Sequence, residues 1–521
     1  MRALRISCLV LALPAYLQAA RILAIFPSPG PSQYISVEPY LKGLAGRGHQ
    51  VTSVNAFPQM KPVANFRDVF LSELSDNYNE LINELKEPTN TWEENTYINK
   101  LFVVVTRSVL ENKEVAETLL PPGKDQFDLI IVEALRSDAY YGFAVHFNAP
   151  IIGFSTFGTD WNIDELVGNV SPLSYTPLLS TGFTDRMTFQ KRVSNFIDTM
   201  IAWLNYILVH MPEHVQMYEK HFPEAAKRVK LTDLNRNFSL VLLNQHFSLS
   251  FPRPNVPNMI EVGGLHISHK PSPLPKDLEE FIQGSGEQGV IYFSLGPNVL
   301  SKELPVKRRD LILKTFASLP QRVLWKFEDD NLPGKPANVF IRKWFPQQDI
   351  LAHPKVKLFI THGGLLSTIE SIHHGKPVLG LPFFNGALAN VNRATQAGYG
   401  LGLNHKTMSQ REFKETIERL LQEPRFAQTA RQMSERYRDQ PMSPLATAIW
   451  WTEYVLRHKG AHHMRVAVQD SGFFAYYDLE FIGVATWMSL ESLVRCLLIA
   501  PLLVASLWMT FKCSFFGNSK K

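Results

Sequence analysis

Leu358-Phe359-Ile360-Thr361-His362-Gly363-Gly364-Leu365-Leu366-Ser367-Thr368-Ile369-Glu370 reads as a buried strand that stops at a glycine turn and restarts as a helix. The glycines let a ligand approach the backbone. The helix start offers free N–H groups and the positive end of its dipole, which suits a diphosphate. His362 and Ser367 add donors, and Glu370, about two helical turns beyond His362, is placed to accept from a ribose diol. Upstream, Trp344-Phe345-Pro346-Gln347 ends another strand, and Trp344 offers a flat face for a base. Downstream runs His374-Gly375-Lys376-Pro377-Val378-Leu379-Gly380-Leu381-Pro382-Phe383-Phe384. Singly, a Trp after a strand is usually core and a lone His usually structural. Together, at this spacing, they point to a nucleoside diphosphate.

The same alternation extends along the chain. Strand-like runs are expected at 21–26, 50–55, 127–132 and 150–155, and again at 290–295, 322–327, 339–344, 357–361 and 377–382. Helical patterns lie between them at 34–47, 305–318, 365–374 and 386–397. Repeated βαβ units mean parallel sheets. The expected class is α/β, with two Rossmann-like doubly wound domains facing a cleft, where ligands bind at the carboxyl ends of the strands. We place an N-terminal domain at 21–250, a proline-rich linker at 251–275 and a C-terminal domain with return helices at 276–460.

The chain has 521 residues, 45% of them apolar and 19% charged, enough to bury large cores and to exclude a disordered chain. A net charge of +5, with no basic cluster, argues against a nucleic-acid partner. Mean hydropathy near zero excludes a polytopic membrane protein. Cys8, Cys496 and Cys513 all lie in the tails, so the body holds no disulfide framework, cysteine nucleophile or thiolate metal site. Residues 1–20 read as a secretory signal, with Arg2 and Arg5 before an apolar run and Ala19-Ala20 for cleavage. A juxtamembrane segment at 461–481 leads to a transmembrane helix at 482–511 and a cytosolic tail at 512–521. Glu491 and Arg495 fall inside that helix, four apart and able to pair; a membrane-lying or core helix is the alternative. Lys512, Lys520 and Lys521 on one side, against Asp478 and Glu480 on the other, orient it with the body in the lumen. Asn169 and Asn237 head glycosylation sequons in that setting.

Two motifs are set aside. Gly284-Ser285-Gly286-Glu287-Gln288-Gly289 fits a dinucleotide loop but precedes a strand instead of following one. His210-Met211-Pro212-Glu213-His214 fits an inverted zinc-protease pattern, but Pro212 should disrupt the helix, leaving a partly exposed helix end. No metal site is expected.

The run W-x-P-Q, H-G-G-x-x-S-x-x-E, G-x-P-V, P-F-F resembles the donor signature of the UDP-glycosyltransferases, including the animal UDP-glucuronosyltransferases. Arg21-Ile22-Leu23-Ala24-Ile25-Phe26-Pro27, Gly46-Arg47-Gly48-His49 and Tyr292-Phe293-Ser294-Leu295-Gly296 extend the likeness over nearly the whole chain, and the N-terminal wording looks most like the insect branch. The resemblance implies a GT-B fold with an N-terminal acceptor half and a C-terminal UDP-sugar half. It puts Trp344 on uracil, Gln347 on its edge, His362, Gly363, Gly364 and Ser367 on the diphosphate, Glu370 on the ribose, and Ser294 and Gly296 along the donor site. It implies a UDP-sugar co-substrate and no resident cofactor.

Two departures stand out. The family's general base is a His in the loop after the first strand, and Gln33 stands there, an amide without useful basicity. Its acidic partner matches Glu133, which is itself a candidate base, with Asp138 second. The family's sugar-binding Asp-Gln pair is replaced by Gly386 and Ala387. Pro297 also replaces a usual Ser. The expected function is transfer of a hexosyl group from a UDP-sugar to a small lipophilic hydroxyl acceptor, inverting and impaired. It would serve detoxification in the endoplasmic reticulum lumen, with homo- or hetero-oligomers of family members as partners. The alternative is an inactive UDP-binding member that acts on other proteins.

Overall fold

The computed structural model describes residues 19–72, 74, 90–121, 123, 126–268, 270–471, 486–492 and 499–509. Among these, the first sheet has seven strands in the order β3-β2-β1-β4-β5-β6-β7. They are β1 (Arg21–Phe26), β2 (Gln50–Asn55), β3 (Phe66–Phe70), β4 (Leu129–Glu133), β5 (Ile151–Ser155), β6 (Leu240–Leu243) and β7 (Met259–Glu261). The second sheet has six, in the order β10-β9-β8-β11-β12-β13. These are β8 (Val290–Ser294), β9 (Arg322–Lys326), β10 (Val339–Arg342), β11 (Val356–Thr361), β12 (Val378–Gly380) and β13 (Gly400–Gly402). Every pairing is parallel.

Both faces of each sheet are covered, which is why the central strands are apolar throughout. In β1, Leu23 and Ile25 enter one core, while Ile22, Ala24 and Phe26 enter the core on the other face. In β8, Ile291 and Phe293 oppose Val290 and Tyr292 in the same way. Strand order reverses between β1 and β4, and between β8 and β11. Those two reversal points open the crevices in which ligands of this architecture sit.

The proline-rich stretch is not wholly a linker. Met259–Glu261 pairs with β6 as the edge strand of the first sheet. An edge tolerates flanking prolines because one of its sides needs no ladder. Further on, the chain crosses back. The helix Pro444–His458 puts Ala448 and Val455 into the first domain's core beside Tyr40, Leu41 and Leu44. Tyr40 and Thr452 share a 2.5 Å hydrogen bond, and Arg47 Nε donates to Glu453 at 2.9 Å.

Residues 1–18 of the expected signal lie outside the described residues, while Ala20 is buried at the head of β1. Arg465–Lys521 forms a separate unit. Within it, 486–492 and 499–509 are helical and the rest of the expected membrane segment lies outside the described residues. Among the described residues, no helix is long and apolar enough to cross a membrane.

Candidate active site

A cleft of about 780 Å³ lies at the carboxyl ends of both sheets and is lined from both halves. On the C-terminal side, β11 ends in the His362-Gly363-Gly364 turn and the helix Leu365–His373 follows. Gly363 has φ 85°, and a Cβ there would lie 2.6 Å from Val391 and 2.9 Å from the Ala387 carbonyl oxygen. Gly364 caps the helix without any side-chain bond, so the first-turn amides stay available. Gly296, at φ 76°, and Gly364 wall in the imidazole of His362: a Cβ on either would come within 2.5 Å of that ring. Burial, with a smaller push from Lys326, brings the His362 pKa down to about 4, so the ring is neutral at pH 7. Its Nδ1 is buried without a hydrogen-bond partner.

Gln347, Ser367 and Glu370 come together as one network. Gln347 Nε2 donates to Ser367 Oγ at 3.1 Å and to Glu370 Oε2 at 2.5 Å, and Gln347 Oε1 accepts from Tyr292 at 3.1 Å. His266 Nε2 lies 3.2 Å from the other Glu370 oxygen, outside hydrogen-bonding geometry. Trp344 is 60% exposed, a large aromatic left open to the cleft. Lys326 Nζ sits 5.8 Å from its ring centre and 2.6 Å from Glu328 Oε1. Ser294 bonds the Gly296 amide at 3.3 Å, and both line the cleft. Gly386 lines it too, on the first turn of the helix Asn385–Ala397, and a Cβ there meets nothing closer than Leu179 at 3.7 Å. Ala387 beside it is buried. Lys326, His266 and Asn390, whose amide holds the Gly363 carbonyl at 2.9 Å, were absent from the sequence reading. Lys326 ends β9, a carboxyl end where a charge is itself a signal; His266 was hidden in the linker.

On the N-terminal side, Gln33 lies in the first turn of the helix Pro31–Gly46 and lines the cleft. Glu133 ends β4 behind that wall. It is buried, accepting from the Ser28 amide at 3.2 Å and from the Thr156 hydroxyl at 3.3 Å. Burial pushes its pKa up to about 7, against those stabilising bonds. Ser28 and Thr156 are themselves cleft residues. Asp138 is turned to other work: it is buried and bonded to Tyr206, Asn235 and His210.

Two expectations are corrected. His210 and His214 are not at a partly exposed helix end but fully buried. A π-turn, Tyr206–His210, runs into the helix Met211–His221, so Pro212 falls in a first turn where its missing N–H costs little. With Asp138 these histidines form a group with the donor set for a metal. The protonation pattern opposes one. His214 Nδ1 accepts the Ala139 amide at 3.1 Å, so its hydrogen is on Nε2. His210 Nε2, 3.0 Å from Asp138, must donate to a carboxylate held below its usual range. The second correction concerns Asn169, whose buried amide bonds Asp164 at 3.0 Å and the Pro254 carbonyl at 3.2 Å, leaving no room for a glycan in the folded chain. Asn237 is exposed.

Two facing parallel-sheet domains with a nucleotide-type turn at one reversal point define a GT-B glycosyltransferase fold. Solved structures agree at the level of fold. The calicheamicin glycosyltransferase CalG4 superposes with a TM-score of 0.58 at 17% identity, over 84% of this chain and 99% of that one. VinC, solved in complex with DTDP, gives 0.57 at 16%, over 84% and 100%. Residues 31–510 match the family model described as UDP-glucoronosyl and UDP-glucosyl transferase. UDP-glycosyltransferase UGT5 of Dactylopius coccus is 35% identical, over 89% of this chain and 88% of its own. UDP-glucuronosyltransferase 2A3 of Homo sapiens is 30% identical, over 94% and 93%. The chain belongs to the UDP-glycosyltransferase family.

Proposed function

We propose that this protein transfers a hexosyl group from a UDP-sugar to the hydroxyl of a small lipophilic acceptor, with inversion at the anomeric carbon. The observation that carries the reading is the donor cradle: free helix amides, a neutral His362 and the Gln347–Ser367–Glu370 network on one wall of a cleft whose other wall holds Thr156, bonded to Glu133 behind it. In this reading the acceptor oxygen attacks the anomeric carbon while the bond from that carbon to the diphosphate breaks. UDP leaves with the bonding pair, and its charge falls on the amides of the helix Leu365–His373. The acceptor proton must go elsewhere than Gln33. The hydroxyl of Thr156, a residue that lines the cleft, already donates to Glu133; it takes that proton as it passes its own to the carboxylate.

A base with a pKa near 7 suits neutral pH. Because Glu133 must be ionised to act, kcat/KM should rise tenfold per pH unit below about 7 and level off above it. Thr156→Val should lower kcat with UDP affinity intact, and Thr156→Ser should restore it. A flat pH profile, or a fully active Thr156→Val, would exclude the relay.

Membrane anchoring and a lumenal body belong to the same proposal. Residues 499–509 are exposed along their length and present Leu502, Leu503, Val504, Leu507 and Trp508. A helix so largely apolar and exposed suits lipid.

A further inference from the structure

Arg136 is an arginine where the backbone least favours one. It stands three residues past the end of β4, in the left-handed region at φ 53°. For a non-glycine residue that conformation is disfavoured and persists only where its surroundings impose it. Its side chain is 8% exposed, yet it lines the cleft.

The guanidinium is held by one edge. Nη1 donates to Asn95 Oδ1 at 3.0 Å and to Asn99 Oδ1 at 3.2 Å. The plane lies 5.3 Å from the Trp161 ring, a cation–π contact that fixes its tilt. Nη2 reaches Asp160 only at 3.8 Å, beyond hydrogen-bond distance, and among the described residues it makes no hydrogen bond. A buried cation with an unused donor edge facing a cavity is built to receive an oxygen.

The surrounding charge selects which oxygen. Asp160, Asp138 and Glu94 all act on Arg136, and Asp138 is already bonded to His210. The positive charge is therefore offset before any ligand arrives, and a further carboxylate would meet Asp160 and Glu94 at close range. A neutral carbonyl takes the free N–H without adding charge. The rest of that wall is apolar, from Ile98, Leu101, Phe102 and Val105 of the helix Thr91–Leu110.

We propose that Arg136 selects acceptors that carry a neutral carbonyl oxygen on a lipophilic frame, away from the hydroxyl that is glycosylated. The proposal rests on the reading of the N-terminal half as the acceptor site, so its test measures binding and requires no turnover. The full-length protein is titrated by calorimetry with UDP present, using 4-hydroxybenzophenone, 4-benzylphenol, which has a methylene in place of the carbonyl, and 4′-hydroxybiphenyl-4-carboxylate. The expected order is the ketone tighter than the methylene compound by about ten- to a hundredfold, with the carboxylate weaker than the ketone. Arg136→Met should bring the ketone down to the methylene compound and leave UDP binding unchanged. Asp160→Asn should shift preference toward the carboxylate, a check independent of how Arg136→Met folds.

Equal affinity for ketone and methylene compound, equal loss of both in Arg136→Met, a carboxylate that binds best to the unaltered protein, or no binding of either phenol would each overturn the assignment. Failure of the wider reading would look different: acceptors discriminated as expected, yet no sugar transferred to any of them.

Discussion

The reversal point of the second sheet is made mostly of backbone, and that of the first mostly of side chains. Between β8 and β11, glycines 296, 363 and 364 bare the main chain, and an uncapped helix presents amides to the cleft. Between β1 and β4, Glu133 is buried behind the cleft wall and Arg136 is part of it, each held by partners from other elements. A diphosphate is the same in every nucleotide sugar, so amides from one contiguous segment suffice. An acceptor has no common group, so on the reading proposed above its site draws on the ends of several strands and on the helix Thr91–Leu110. The topology is shared; the chemistry divides according to how constant each ligand is.

The division can be broken first at Glu133. Glu133→Gln should lower transfer by about 10²–10⁴-fold while UDP affinity holds; a parallel loss of UDP binding would mean the two sites are not separable. The same variant carries a stability signature. The carboxyl pKa is raised from 4.5 to about 7, so the folded state holds that proton more tightly than the unfolded one. Its contribution is fully present below pH 4.5 and is lost as pH rises through about 7, roughly 3 kcal/mol in all. Removing the charge should therefore raise Tm at pH 8 and change it little at pH 4.5, in melts run side by side.

Glu370→Ala probes the opposite side. It should weaken UDP by about ten- to a hundredfold with kcat at saturation little changed, read by calorimetry and steady-state rates. Gly386→Asp with Ala387→Gln sharpens the donor side further. A Cβ at Gly386 meets only Leu179, at an ordinary contact distance of 3.7 Å, and the pair should make UDP-glucose bind about tenfold tighter than UDP alone; no added affinity would put the sugar elsewhere. Smallest of all, Glu453→Gln breaks the pairing with Arg47 on the return helix. It should cost about 1 kcal/mol in urea melts and leave both ligands' affinities untouched.

The donor side was legible because it is local: strand, turn and helix follow one another between Val356 and His373, and the spacing carries the geometry. Most central strands were legible for a related reason, since burial on both faces writes unbroken apolar runs such as Arg21–Phe26, but the equally apolar β6, only four residues long, was missed. β3 escaped because only Val69 of its five residues is buried, and β13 because Gly400-Leu401-Gly402 carries too little side chain to read as a strand. On the acceptor side, Thr156 meets Glu133 across two strands, and Arg136 meets Asn95 across 41 positions. No spacing rule joins such residues. His210 and His214 misled for a third reason: the π-turn that lets a proline follow a buried His leaves no mark in composition.

The crossing back of the chain at Pro444–His458 has a mechanical consequence. The halves are joined by two covalent straps, one through 262–275 and one through 439–443, and the returning helix is riveted to the first half by Tyr40, Arg47 and the core around them. The two straps begin close together, where the Tyr437 hydroxyl donates to the Gly263 carbonyl. They resist sliding and separation beside that hydrogen bond of 2.7 Å, while Asn392 and Gln396 bond Gly182 and Asp185 of the first half at 2.8 and 2.9 Å, so the halves are tied at more than one place. A single proteolytic cut in either strap should leave the halves together on a sizing column.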